Sequence, residues 1–182
     1  MRRLRVGDVF CFQAERGYRL IQLAYKVERK GSYYRVFPGF YPEIPRDPER
    51  IVSGDCSYMV WFNVTAPFRA GLFRWLGTFA DSITEPFPKY DIQYHDLGGT
   101  GRFEVCEVDR HQNFEAFDGY PDGRGLPEKY RDVKLINALL PSTWLIYLLS
   151  SDFDRSHWDL FWPGEKLEPI RQRYGELVGE GR

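Results

Sequence analysis

Several short segments near the start of the chain are typical of β-strands, being apolar on both faces, as at 9–12, or alternating between apolar and polar positions, as at 18–27. The first three such segments are 9–12, 18–27 and 33–37. Turn-forming residues separate them at 14–17 and 30–32, and Pro38-Gly39 ends the third segment. The pattern predicts a three-stranded β-meander.

The rest of the chain changes from strand-like to helix-like patterns. Residues 38–57 are rich in proline and predict a long connection. Further strands are predicted at 58–64, 72–79, 103–108 and 113–117, with a hairpin turn at 98–101. Hydroxyl side chains at 142–143 precede an apolar run and predict a buried helix at 144–149, and a charged helix is predicted at 168–177.

The order of these elements favours a mainly β fold of the α+β kind. We expect an N-terminal SH3-like or small-barrel β-meander with additional strands and C-terminal helices. The chain has 182 residues, of which 43% are hydrophobic, and this is enough for one well-filled core. A single domain over 1–182 is therefore predicted, β-rich at 5–120 and helical at about 141–178.

Cysteine usage and apolar patterning indicate a protein of the cytoplasm. The three cysteines are far apart, without metal-ligand spacing, as expected in a reducing compartment. Gly7-Asp8 interrupts the basic start where a signal peptide would be apolar. The longest apolar stretch, 135–149, is interrupted by polar residues and is shorter than the ~20 residues of a membrane helix.

Charge is distributed unevenly along the chain, although the formal net charge is only -1. Residues 1–50 contain 11 basic and 6 acidic residues, whereas residues 81–128 contain 4 basic and 11 acidic residues. The acidic block has two interpretations, a set of solvated strand faces and loops or a surface for a basic partner. The near-neutral total argues against a protein devoted to binding nucleic-acid backbones.

A search for catalytic or metal-binding patterns finds little. The best local cluster is Asp109-Arg110-His111, where strand geometry would point Asp109 and His111 to one face. Cys11 and Cys106 lie in apolar strand segments, where a thiol usually acts as a small hydrophobic group. We therefore predict no catalytic residues, no metal and no cofactor, and a hydrolase is the third hypothesis.

Arginines are interleaved with aromatic residues in two strand-like segments, 33–37 and 73–75. Such segments form stacking platforms for single strands in small β-barrels that bind nucleic acids. The other interpretation is a core face that alternates with a solvated face. A small nucleic-acid-binding β-barrel is thus the alternative to the function that follows.

Several short motifs resemble the immunity protein 26 family of bacterial polymorphic-toxin systems. They are Gly7-Asp8, the run Val9-Phe10-Cys11-Phe12, the strand-like 18–24, the step Leu76-Gly77 and the segment Pro86-Phe87-Pro88. The match covers 6–24 well and 58–90 loosely. The resemblance implies a mainly β, non-enzymatic protein that neutralises a cognate bacterial toxin by binding it.

Many toxins of these systems are basic nucleases, so the resemblance directs attention to the acidic block. The candidate partner-binding residues are Glu104, Glu107, Asp109, Glu115, Asp118 and Asp122. Asp8 is expected to be structural instead, because an aspartate at a strand entrance accepts hydrogen bonds from nearby backbone donors and sets the register. Gly7 would give the backbone its freedom there.

Overall fold

The fold is mainly β, as predicted. The computed structural model describes residues 3–27, 31–62, 68, 71–95, 101–108, 112–119, 124–131, 133, 135–137, 149 and 172. The strands within them are β1 (Asp8–Ala14), β2 (Gly17–Val27), β3 (Gly31–Val36), β4 (Tyr58–Phe62), β5 (Phe73–Thr78), β6 (Tyr90–His95), β7 (Gly101–Glu107), β8 (Gln112–Gly119) and β9 (Leu135–Asn137). The helices are α1 (Pro48–Val52), α2 (Glu128–Arg131) and a 3-10 turn at Ala80–Ser82.

The nine strands form one sheet in the order β5-β1-β2-β3-β4-β9-β6-β7-β8. One antiparallel group consists of β5, β1, β2, β3 and β4, and a second consists of β6, β7 and β8. The short β9 lies between these two antiparallel groups and runs parallel to both β4 and β6. One three-residue strand therefore joins the two groups into a single sheet.

The structure confirms the predicted meander, and the strands predicted at 72–79, 103–108 and 113–117 correspond to β5, β7 and β8. Strands β6 and β9 and both helices were not predicted. The SH3-like or small-barrel form of the meander stays a prediction. The hairpin turn at 98–101 is described only at Gly101, and the helices predicted at 144–149 and 168–177 are described only at Leu149 and Gln172, which are helical.

Two apolar clusters form on the two faces of the sheet, as strand periodicity requires. The first contains Phe10, Ile21 and Tyr34 from the meander, together with Phe103 and Val105 from β7. The second is assembled mainly from the following residues of the meander and the connection after it: Val9, Cys11, Leu20, Tyr33, Phe37, Val52, Cys56 and Met59. Among the described residues, no helix is long and apolar enough to span a membrane.

Residues 79–89, here called the crossover segment, lead from β5 at one edge of the sheet to β6 beyond β9. The segment lies over the second face, where the Phe87 ring packs edge-on against Tyr25 and Tyr33 at centroid distances of 5.1 and 5.7 Å. The amide of Gln22 donates to Phe79 O and Ser82 Oγ, both at 2.8 Å. Aromatic packing and buried hydrogen bonds thus fix a long connection to the sheet.

The Gly7-Asp8 pair fixes the start of β1. Gly7 has a φ of +90°, and a Cβ there would lie 2.6 Å from Ala80 N, so both the conformation and the close approach require glycine. Asp8 is completely buried. Its carboxylate accepts hydrogen bonds from Arg5 N at 2.7 Å, Trp75 Nε1 at 3.2 Å and Thr78 Oγ1 at 2.6 Å. The predicted structural role of Asp8 is confirmed.

Candidate functional site: an acidic β-hairpin

The β7–β8 hairpin carries four of the six acidic residues predicted to bind a partner. Glu104 and Glu107 lie on β7, and Glu115 and Asp118 lie on β8. Asp109 and Asp122 lie outside the described residues. The two strands pair antiparallel from Gly101–Gly119 to Glu107–Gln112, with a bulge next to Val105. The hairpin is therefore a defined scaffold for these carboxylates.

Strand register separates the four acidic residues onto opposite faces of the hairpin. Glu104 pairs with Ala116 and Asp118 pairs with Arg102, whereas Glu115 pairs with the core residue Val105. Directly paired residues share a face, and successive residues alternate between faces. Glu104 and Asp118 consequently occupy the outer face. Glu107 and Glu115 occupy the inner face, which carries Phe103 and Val105.

Basic residues accompany the acidic residues of the inner face. Lys129 Nζ, on α2, donates to Glu115 Oε1 at 2.9 Å and also lies 4.7 Å from the centroid of the Tyr130 ring. The hydrogen bond with Glu115 raises the pKa of Lys129. Hydrogen bonding with Tyr90 raises the pKa of Lys89, with Glu107 as a further electrostatic contribution. The inner face is therefore a mixed-charge surface beside α2.

The outer face presents Glu104 half-buried and Asp118 exposed. Arg102 is also exposed and lies opposite Asp118 in the register. Toward the other end of β7, Cys106 and its partner on β6, Asp91, are both buried. The accessible negative charge of the outer face is thus concentrated at Glu104 and Asp118.

Cys106 is unsuited to nucleophilic chemistry. Burial raises the pKa of its thiol to about 11, with the carboxylates of Asp91 and Glu104 as additional causes. A nucleophilic cysteine needs the opposite, a pKa low enough to populate the thiolate near neutral pH. Cys11 is also buried, and burial raises the pKa of that thiol too. All three cysteines are buried, and none is part of a disulfide.

The Cys106 thiol also predicts a pH dependence of stability. Its pKa is raised in the folded state from 9.0 to about 11. The contribution of this thiol to the free energy of unfolding should be complete below about pH 9. It should be lost as pH rises toward about 11, because the thiol of the unfolded chain ionises before that of the folded protein. Urea unfolding at a series of pH values should show that the free energy of unfolding falls more steeply with rising pH for the wild type than for Cys106→Ala. Parallel curves for the two proteins would contradict this prediction.

Burial excludes one of the two segments that the nucleic-acid alternative proposed as a binding surface. All five residues of 33–37 are buried, and Arg35 is only 1% exposed. The prediction of a stacking platform there was wrong, because the Arg35 guanidinium faces the crossover segment and is hydrogen-bonded inside the protein. In the second segment, Phe73 is buried while Arg74 and Trp75 are exposed.

Within the described part of the chain, no group of three or more His, Cys, Asp or Glu residues has the arrangement of a metal site. Asp109 and His111, the pair with the best local spacing, lie outside that part. Trp75 belongs to one of the two candidate stacking segments, and the structure leaves it exposed on the outermost strand. The Lys129–Glu115 ion pair was not predicted, because it depends on tertiary structure.

No family model matches the chain, and no curated protein or solved structure was found to match it. The resemblance to the immunity protein 26 family therefore rests on the motifs themselves, chiefly those within 6–24. Any function assigned to the acidic hairpin depends on its geometry and charge.

Proposed function

We propose that the protein is a cytoplasmic, non-enzymatic immunity protein, which binds a basic toxin domain through the outer face of the β7–β8 hairpin. The observation that carries the proposal is the position of Glu104 and Asp118 on the same face of two paired strands. The motif resemblance supplies the functional class, and the charge of the hairpin supplies the class of partner.

A rigid acidic hairpin suits rapid capture of a basic enzyme. Complementary charges accelerate association and favour the correct orientation of the partner. Strands hold their side chains at fixed spacing, so little ordering is required when the partner binds. Because neutralisation requires only that the toxin be occupied or blocked, no catalytic group is needed on this protein.

Charge reversal at Glu104 and Asp118 tests the proposal. The proposal predicts that a toxin domain is encoded next to the gene for this protein, and that domain is the partner to use. Glu104→Lys and Asp118→Lys should each weaken toxin binding by about tenfold, corresponding to about 1.4 kcal/mol, and the loss should shrink at high salt. Titration calorimetry gives the affinity, and survival of cells that co-express the toxin gives the protection.

Glu43→Lys is the matched control, because Glu43 is exposed in the connection before α1 and undergoes the same change of charge. It should bind and protect like the wild type. If the wild-type protein fails to protect cells, the proposed function is wrong. If it protects and both hairpin variants bind normally, the function stands and the assignment of the binding face is wrong.

The nucleic-acid alternative has weaker support. Of its two aromatic segments, only Arg74 and Trp75 are accessible. Proteins that bind single strands usually stack successive bases on several aromatic side chains. A single exposed tryptophan supports this function less well than the paired acidic strands support a basic protein partner.

A further inference from the structure

Two large apolar side chains are exposed in the described part of the chain, Val6 at 41% and Trp75 at 40%. They lie at the same corner of the sheet. Trp75 Nε1 donates to one oxygen of the Asp8 carboxylate, and the backbone N–H of Arg5, next to Val6, donates to the other. One buried carboxylate thus holds together two segments separated by almost seventy residues. We call this region the Val6–Trp75 corner.

The accessible charge around the Val6–Trp75 corner is mainly positive. Arg3 and Arg5 are exposed on the segment that carries Val6. Lys26 is also exposed, and its Nζ donates to the carbonyl oxygen of Leu4, which places the ammonium group beside the same segment. Arg74 is exposed as well, but it pairs with Cys11 and therefore lies on the opposite face of β5 from Trp75. Three exposed basic residues, Arg3, Arg5 and Lys26, thus lie around the apolar pair.

The acidic residues near this corner offset only part of this positive charge. Asp8 is completely buried and accepts three hydrogen bonds. Asp81 is exposed and follows Ala80, which packs against Gly7. Among the described residues, one exposed carboxylate therefore stands against three exposed basic side chains, so the corner retains an excess of positive charge.

We propose that the Val6–Trp75 corner binds an acidic protein segment that carries a large apolar residue. Tryptophan and arginine are the residues that most often dominate binding energy at protein interfaces. The hydrogen bond to Asp8 fixes the orientation of the indole before the partner arrives, which lowers the cost of ordering it. Since β5 is the outermost strand of the sheet, an extended partner segment can also use its backbone groups.

Two other occupants fit the observations less well. A single-stranded nucleic acid would match the positive charge, but successive bases need several aromatic side chains, and this corner presents one, Trp75. A second copy of the chain could offer its acidic hairpin, but head-to-tail contacts of that kind produce rings or open chains of molecules instead of the commoner two-fold dimer. An acidic segment of another protein complements the positive charge, and its apolar residue can contact Val6 and Trp75.

The proposal is independent of toxin neutralisation, because the corner and the β7–β8 hairpin are at opposite ends of the sheet order. Selection of short random peptides by display on the purified full-length protein is the first experiment. The peptides recovered should be acidic and contain a large aliphatic or aromatic residue. Their affinity for the isolated protein is then measured by fluorescence anisotropy.

Arg5→Glu and Val6→Ser are the test variants, since each changes an exposed side chain and leaves the backbone donor to Asp8 in place. Each should weaken binding of the selected peptides by about tenfold or more. Arg102→Glu, an exposed arginine on β7, is the matched control and should bind normally. Glu104→Lys should also bind normally, which separates this proposal from the toxin-binding face.

Several outcomes would overturn the proposal. One is recovery of no peptides, or of neutral or basic ones, and another is equal binding by Arg5→Glu and the wild type. Tight, salt-dependent binding of oligothymidylate that Arg5→Glu abolishes, without selected acidic peptides, would assign the corner to nucleic acid. Self-association in sedimentation experiments that Arg5→Glu abolishes would assign it to a second copy of the chain.

Discussion

Replacing Arg35 with alanine is expected to lower the free energy of unfolding by about 3–5 kcal/mol, the usual cost of removing one partner of a buried ion pair. The Arg35 guanidinium is 1% exposed. Nη2 donates to Glu85 Oε1 at 2.7 Å, within the crossover segment. The same guanidinium also donates to Gln22 Oε1 at 2.8 Å, Gly54 O at 2.9 Å, Val52 O at 3.0 Å and Ser82 O at 3.1 Å.

The expected loss is large because removal of Arg35 affects three parts of the chain together. The end of α1, strand β2 and the crossover segment, which includes the 3-10 turn, each place an acceptor on this one side chain. Without it, buried carbonyl groups and the Glu85 carboxylate lose their donors, and each unsatisfied buried group costs about 1–3 kcal/mol. The sheet would then lose part of the contact that holds the crossover segment on its second face.

Urea unfolding followed by circular dichroism measures this effect. Arg74→Ala is the matched control, because Arg74 is also a strand arginine but is exposed. It should change the unfolding free energy by less than about 0.5 kcal/mol. A similar effect of the two substitutions would show that the hydrogen bonds of Arg35 contribute little.

Asp8→Ala is expected to lower the free energy of unfolding by about 2–4 kcal/mol, because it leaves buried donors unsatisfied and each bond to a charged group contributes about 1.5–3 kcal/mol. The carboxylate connects the N-terminal segment to Trp75 and Thr78 of β5. Asp8→Asn should have a smaller effect, since the amide keeps one acceptor oxygen. The measurement is again urea unfolding.

Asp81→Ala is the control for Asp8, because Asp81 is exposed in the neighbouring 3-10 turn. It should be close to neutral. We also expect Asp8→Ala to reduce toxin binding at the β7–β8 hairpin only in proportion to the folded fraction. An Asp8→Ala protein of normal stability that no longer binds the toxin would instead assign Asp8 to the toxin-binding site.

Local sequence patterns were sufficient to predict the meander and most of the antiparallel strands. They failed at β6, where polar residues alternate with Tyr90 and Ile92 beside a proline-rich segment. They failed also at β9, which has three residues and exists as a strand through its pairing with β4 and β6. A strand that depends on distant partners leaves no periodic signal of its own.

The candidate site was predictable in its charge but only partly in its arrangement. The period of a strand separates Glu104 from Glu107, and this follows from the sequence once the strand is known. The ion pair between Lys129 and Glu115 requires α2 to pack beside β8, so it is a tertiary property. Burial of Arg35 has the same origin, because its acceptors lie on segments far away along the chain.

The position of β9 has a consequence for the way the protein folds as it is synthesised. The chain emerges from the ribosome with β1–β5 first and β6–β8 next, and each group can complete its own antiparallel pairing, including the pairing of β5 with the distant β1. Until 135–137 has been made, β4 and β6 each keep an open edge, the kind of surface through which incomplete chains aggregate. Synthesis of β9, the shortest strand of the sheet, is thus the step that allows both open edges to be covered.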